Sequence, residues 1–294
     1  MSELPNAPGP RPAILACCAV LPTVWSNCLA GLWLAQGVPV ERWADFFRSL
    51  DLMRGLLVLL GTSVVFVGWA LRREDEARRR LPGLVLLLAG GLLIGLAGRT
   101  PAILAIVLLA TVAAALTLPR TSLLAPIFQG LARLAVYLAA AATLSTGING
   151  WAIWGGVVMA AFVAGSGYIV RQQELGQRLE FPPWLLLAAP LVLAWVMNNG
   201  PARQPALLLG FVLLLWLARS GQRLFRPRSH EPSRAAVELI PALVLVDWLA
   251  LADAPRTSGF IFLPLFALAL VGQRLTSRTP APTPTPTQAT AAVP

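Results

Sequence analysis

The chain has 294 residues, of which 57% are hydrophobic and 12% charged, with a formal net charge of +10. So little polar surface cannot cover a water-soluble globule of this size, and the composition points to a membrane protein. All 23 basic residues are Arg, which excludes a Schiff-base or P-loop lysine, and the single histidine, His230, excludes haem, zinc and histidine acid–base chemistry. The positive charge does not form a nucleic-acid patch, because the arginines gather at the ends of apolar runs. Cys17 and Cys18 are too close for an ordinary disulfide.

Residues 1–12 form a short Pro-rich lead, expected to be disordered. The apolar run from Ala13 to Gln36 is too long for a signal peptide and predicts a first transmembrane helix, with Pro22 as a kink point. Residues 37–51 read as an amphipathic interfacial connector carrying Trp43, Phe46 and Phe47. Further spans are expected at 52–71, 83–98, 101–118, 123–143, 151–170, 184–198, 203–218, 236–253 and 258–274. Some are short against the roughly 20 residues a bilayer crossing needs. Turn signals separate them, among them Arg99-Thr100-Pro101, Pro119-Arg120-Thr121 and Asn198-Asn199-Gly200-Pro201. The Thr/Pro/Ala tail, 279–294, is low-complexity and expected to be disordered, which leaves 13–278 as the transmembrane domain.

Between the second and third spans lies the most charged stretch of the chain, Arg72-Arg73-Glu74-Asp75-Glu76-Ala77-Arg78-Arg79-Arg80. Shifting the chain by 99 positions lays Gly68, Trp69, Arg72, Asp75 and Arg79 on Gly167, Tyr168, Arg171, Glu174 and Arg178. Were each span to continue as a helix, Arg72, Asp75 and Arg79 would share one face, as would Arg171, Glu174 and Arg178. The expectation is two related halves, each with a charged helical extension on the same side of the membrane.

With both termini cytoplasmic, sixteen arginines fall on the inside and six on the outside, the asymmetry of the positive-inside rule. The expected location is therefore a bacterial inner or plasma membrane. Two ionisable residues fall within spans, Arg133 and Asp247, at similar depth. They are expected to form a structural ion pair, or Arg133 to be held by backbone carbonyls, or else to contact a substrate, since charge at bilayer depth is costly enough to need a reason. Asn27 also lies deep, where a helix–helix hydrogen bond is the plain reading.

Leu21-Pro22-Thr23-Val24-Trp25-Ser26-Asn27-Cys28-Leu29-Ala30-Gly31 resembles the first-helix motif of the UbiA superfamily of intramembrane prenyltransferases. Gly61-Thr62-Ser63 and Gly68 sit where that family's second helix leads into its first aspartate-rich motif. Arg120-Thr121-Ser122 through Arg133 resembles its basic loop and following helix, and Tyr168-Ile169-Val170-Arg171-Gln172-Gln173-Glu174 resembles a variant of its second motif. The resemblance implies an all-α polytopic bundle of nine to ten spans whose two charged loops close a cavity.

It also implies a function, with departures. The family holds Mg²⁺ with an Asn-Asp-x-x-Asp-x-x-x-Asp pattern, and the metal grips a prenyl diphosphate. Here the matching positions are Arg72, Arg73, Glu76 and Arg80. The resemblance therefore implies a site in which Arg72, Arg73, Arg120 and Arg171, with Tyr168 and Asn27, bind a polyprenyl diphosphate. Glu74, Asp75, Glu76 and Glu174 remain as carboxylates for Mg²⁺. The leading expectation is transfer of the prenyl group to an acceptor the sequence does not identify. The alternative is a catalytically degenerate relative acting as a lipid-binding or partner subunit. A small-solute transporter ranks third, because the chain offers few midplane polar residues.

Overall fold

The computed structural model describes residues 12–36, 51–73, 77–119, 121–175, 182–198, 203–224, 232–252 and 259–277. Among these residues every element is helical: α1 (Pro12–Ala35), α2 (Leu52–Arg73), α3 (Ala77–Leu96), α4 (Arg99–Thr117), α5 (Leu124–Ala141), α6 (Gly150–Glu174), α7 (Pro182–Met197), α8 (Arg203–Leu224), α9 (Pro232–Ala250) and α10 (Gly259–Ser277). Each coincides with one apolar run of the sequence. The connector at 37–50 and both chain ends lie outside the described residues.

Six helices, α1, α2, α4, α5, α6 and α8, are long and apolar enough to cross a bilayer, while α3, α7 and α10 contain shorter apolar segments. Large apolar side chains such as Leu88, Leu92, Ile106, Leu208 and Phe211 project from the outer helices. So wide an apolar surface is compatible with lipid and not with water, and the chain is an integral membrane protein.

Successive helices pack side by side, and α1 also touches α5, α6, α9 and α10, which places it near the bundle axis. Contacts along the helices fix their directions. Thr23 and Asn27 of α1 meet Arg133 of α5, and further along Gly31 meets Tyr137, so α1 and α5 run parallel. Gly130 faces Ala160 and Gly167 faces Pro126, so α6 runs opposite to α5. Phe66 of α2 lies on Arg133 while the earlier Thr62 lies on Cys28, so α2 descends against α1. The C-termini of α2 and α6 therefore emerge at the end where α1 and α5 begin. Exposed Trp151, Trp154, Trp195 and Phe260 gather at the opposite end, as an interfacial aromatic belt does.

The α2–α3 pair is held by close backbone approach. A Cβ on Gly61 would lie 2.7 Å from the Gly90 oxygen, and one on Gly68 would lie 2.8 Å from the Gly83 oxygen. Only glycine lets two helices come so near. In this pairing one helix ends at Arg73 and the next, running back along it, begins at Ala77, which corrects the expected single helical extension. Arg72 belongs to α2 and Arg79 to α3, so they do not share a helix face. On α6, Arg171 and Glu174 do fall within one helix, and Arg178 lies outside the described residues.

The α6–α7 pair crosses in the same way. A Cβ on Gly68 would meet the Gly83 oxygen, the Leu87 nitrogen and the Leu86 Cβ, while one on Gly165 would meet the Pro183 oxygen, the Leu187 nitrogen and the Leu186 Cβ. The correspondence runs at offsets of 97 and 100 instead of one offset of 99, because three more residues separate the second pair of contacts.

Candidate functional site

The polar residues of α1 stand three and four apart, at Thr23, Ser26 and Asn27, which places them on one helix face. That face is turned inward, and all three are fully buried. They meet Arg133 and Tyr137, one turn apart on α5, and Asp247 on α9. Three helices distant in sequence are thus joined at bilayer depth by side chains alone.

Asn27 is the bridge. Its Oδ1 accepts from Arg133 Nη1 at 2.8 Å, and its Nδ2 donates to Asp247 Oδ2 at 2.6 Å. Ser26 Oγ and Tyr137 OH also donate to the Asp247 carboxylate. Arg133 Nη2 donates to Thr23 Oγ1 at 2.9 Å, and Thr23 passes its own proton to the Val20 carbonyl at 2.7 Å. The Phe66 ring lies 4.5 Å from the Arg133 guanidinium carbon, a cation–π contact from α2. Beside it, Cys28 Sγ and Thr62 Oγ1 are 3.4 Å apart. Arg133 and Asp247 are joined through Asn27 and not by a direct salt bridge. The acid–base pairing expected from equal depth is therefore relayed through Asn27.

Other residues singled out in the sequence stand at the end where α2 and α6 finish. Arg72 is half-buried with its stem against Gly83, and Arg80, at the start of α3, is exposed. Tyr168 OH donates to the Leu123 carbonyl at 2.9 Å, and Arg171 Nε donates to the Thr121 carbonyl at 2.6 Å. These two side chains fasten the end of α6 to the lead into α5, so part of the Arg171 guanidinium is structural. Arg73 and Glu174 end their helices with side chains outside the description, and Glu74, Asp75, Glu76 and Arg120 lie outside the described residues. Among the described residues no group of His, Cys, Asp and Glu is gathered to hold a metal ion.

At the opposite end, Thr146 Oγ1 donates to the Ala35 carbonyl at 2.9 Å. Asn149 Nδ2 donates to the Leu34 and Ala35 carbonyls at 2.9 and 3.0 Å, and its Oδ1 accepts from Ala152 N. One amide thus closes the C-terminus of α1 and caps the N-terminus of α6. The sequence signal for it was the Asn immediately before the α6 run, within a Gly-rich turn. Neither a protein-family model, nor a curated protein, nor a solved structure matches this chain.

Proposed function

We propose that this protein is a UbiA-type, prenyltransferase-like membrane protein that binds a polyprenyl diphosphate at the end of the bundle where α2 and α6 finish. In this reading it sits in a bacterial inner membrane with both termini cytoplasmic, and its halves are related. The supporting observation is that the helix ends bearing Arg72 and Arg171, 99 residues apart, emerge on the same side. Guanidinium binds phosphoryl oxygens bidentately without a metal bridge, so binding depends weakly on Mg²⁺. Without a full carboxylate set the leaving diphosphate is poorly stabilised, and turnover is slow.

A second reading, a non-catalytic lipid-binding or partner subunit, is favoured by two particular contacts. Asn27 is fully committed to Arg133 and Asp247, and Arg171 Nε to Thr121. The two readings part on one experiment with the purified chain. Farnesyl diphosphate is titrated with and without chelator, in the native chain and in Arg72→Ala/Arg73→Ala, and prenyl release is then measured with Mg²⁺ present. Binding that survives chelation and fails in the double variant is expected. Binding abolished by chelation yet intact in the double variant would overturn the arginine site. Prenyl release above background would exclude the non-catalytic reading.

A further inference from the structure

We propose that Arg133 is the centre of a second binding site, inside the bundle, for a small oxyanion group: a carboxylate or a phosphoryl oxygen. The case rests on how unequally the two buried charges are served. Asp247 receives three donors, from Ser26, Asn27 and Tyr137, and is fully buried. Arg133 is different. A guanidinium has five N–H donors, and the protein supplies acceptors for two bonds, Asn27 Oδ1 and Thr23 Oγ1, both uncharged. Among the described residues no other acceptor and no carboxylate meets it, while Phe66 covers its face. Arg133 is also 6% exposed, unlike Thr23, Ser26, Asn27 and Asp247, which are at 0%. It is thus a cation more than nine-tenths buried, fixed by two hydrogen bonds and the Phe66 ring, with donors to spare and a small part of its surface still accessible.

In a low-dielectric interior such a cation favours an anionic neighbour far more than water would. The pose suits an oxygen anion, because the guanidinium plane is fixed by its two bonds and by Phe66, leaving its remaining N–H edge to point at a ligand. Phe66 stands six residues before Arg72 on α2, a separation of about 9 Å along the helix. The site is therefore distinct from the helix-end arginines, and it stands or falls without the diphosphate reading.

The test uses the full chain in neutral detergent and reads unfolding temperature as inorganic phosphate or acetate replaces chloride at constant ionic strength. A parallel arm compares zwitterionic-lipid nanodiscs with and without phosphatidylglycerol, separating a lipid headgroup from a free anion. The expected result is a saturable rise in one arm that persists, whatever its size, in Arg72→Ala/Arg73→Ala and is lost when Arg133→Gln is added to that background. Asp247→Asn, which removes the nearby negative charge, should lower the half-saturating concentration. No rise in either arm of the Arg72→Ala/Arg73→Ala background, or a rise there that persists once Arg133→Gln is added, would overturn the proposal. Should Arg133→Gln fail to fold, an unchanged half-saturating concentration in Asp247→Asn overturns it instead.

Discussion

Replacing Asn27 by Leu keeps the volume of the side chain and removes the only link between the buried cation and the buried acid. Two hydrogen bonds are lost, the 2.8 Å bond from Arg133 and the 2.6 Å bond to Asp247. Bonds to charged groups contribute roughly 1.5–3 kcal/mol each, and breaking a buried charge pair costs about 3–5 kcal/mol. An unfolded chain held in a membrane finds substitute partners, so the lower end applies and the expected loss is about 3 kcal/mol. That corresponds to roughly a hundredfold change in the folded-to-unfolded ratio. The assay is reversible unfolding in mixed detergent and SDS micelles, native chain against variant. A second variant separates geometry from polarity: in Asn27→Asp/Asp247→Asn the carboxylate moves next to Arg133, and the new amide at 247 donates back to it. Charge and bond count are conserved, so this swap should retain most of the stability that Asn27→Leu loses. A loss below about 1 kcal/mol in Asn27→Leu, or a swap as damaged as the leucine variant, would refute the bridging role.

Gly68→Ala and Gly165→Ala should destabilise to similar degrees, since each new methyl would lie within 3 Å of a backbone oxygen, while Gly95→Ala, whose nearest neighbour is Ala102 Cβ at 3.8 Å, should be neutral in the same unfolding assay. Asn149→Ala should cost about 0.5–2 kcal/mol, the usual range for an N-cap deletion, and should raise hydrogen exchange at both the end of α1 and the start of α6. Tyr168→Phe and Arg171→Met each remove one donor to the lead into α5, and limited proteolysis near Thr121 should accelerate in both without loss of the folded core.

The helices were legible because apolar runs bounded by turn residues are the strongest signal a membrane chain carries, and all ten runs became helices. The charged stretch misled for a specific reason. Arg72, Asp75 and Arg79 have helical spacing, but spacing says nothing about where a chain turns back. The antiparallel pairing is made possible by Gly61, Gly68, Gly83 and Gly90, whose missing side chains let α2 and α3 approach closely along their length. The crossings also account for why the 99-residue correspondence in the sequence is inexact. Glycine and proline recur at both crossings, yet the longer second connection shifts the register, and a single offset cannot follow both helices of a hairpin. Asn149 was hidden because its partners lie more than a hundred residues away in sequence, on the last turn of α1.

The first-helix stretch that carries the family resemblance is where structure changes what the sequence implied. In the sequence Asn27 reads first as a helix–helix hydrogen bond, and as a ligand contact only through the family resemblance. The structure supplies the partners: Arg133 and Asp247 satisfy the face of Thr23, Ser26 and Asn27 from within the protein, and Tyr137 joins them through Asp247. A motif whose polar atoms are internally paired explains a fold more directly than a reaction, since satisfying buried polar groups at bilayer depth is a condition of folding whatever the protein binds. The two kinds of residue therefore separate experimentally. Substitutions at Asn27 should change stability first and binding only in consequence. On the proposed reading, substitutions at Arg72 and Arg73, at the C-terminal end of α2, should change diphosphate binding first; because the Arg72 stem packs against Gly83, they should also cost some stability, but less than the roughly 3 kcal/mol expected for Asn27→Leu. A variant at Asn27 that unfolds normally yet loses diphosphate binding would return that residue to the ligand site, and with it the reading that the motif carries chemistry.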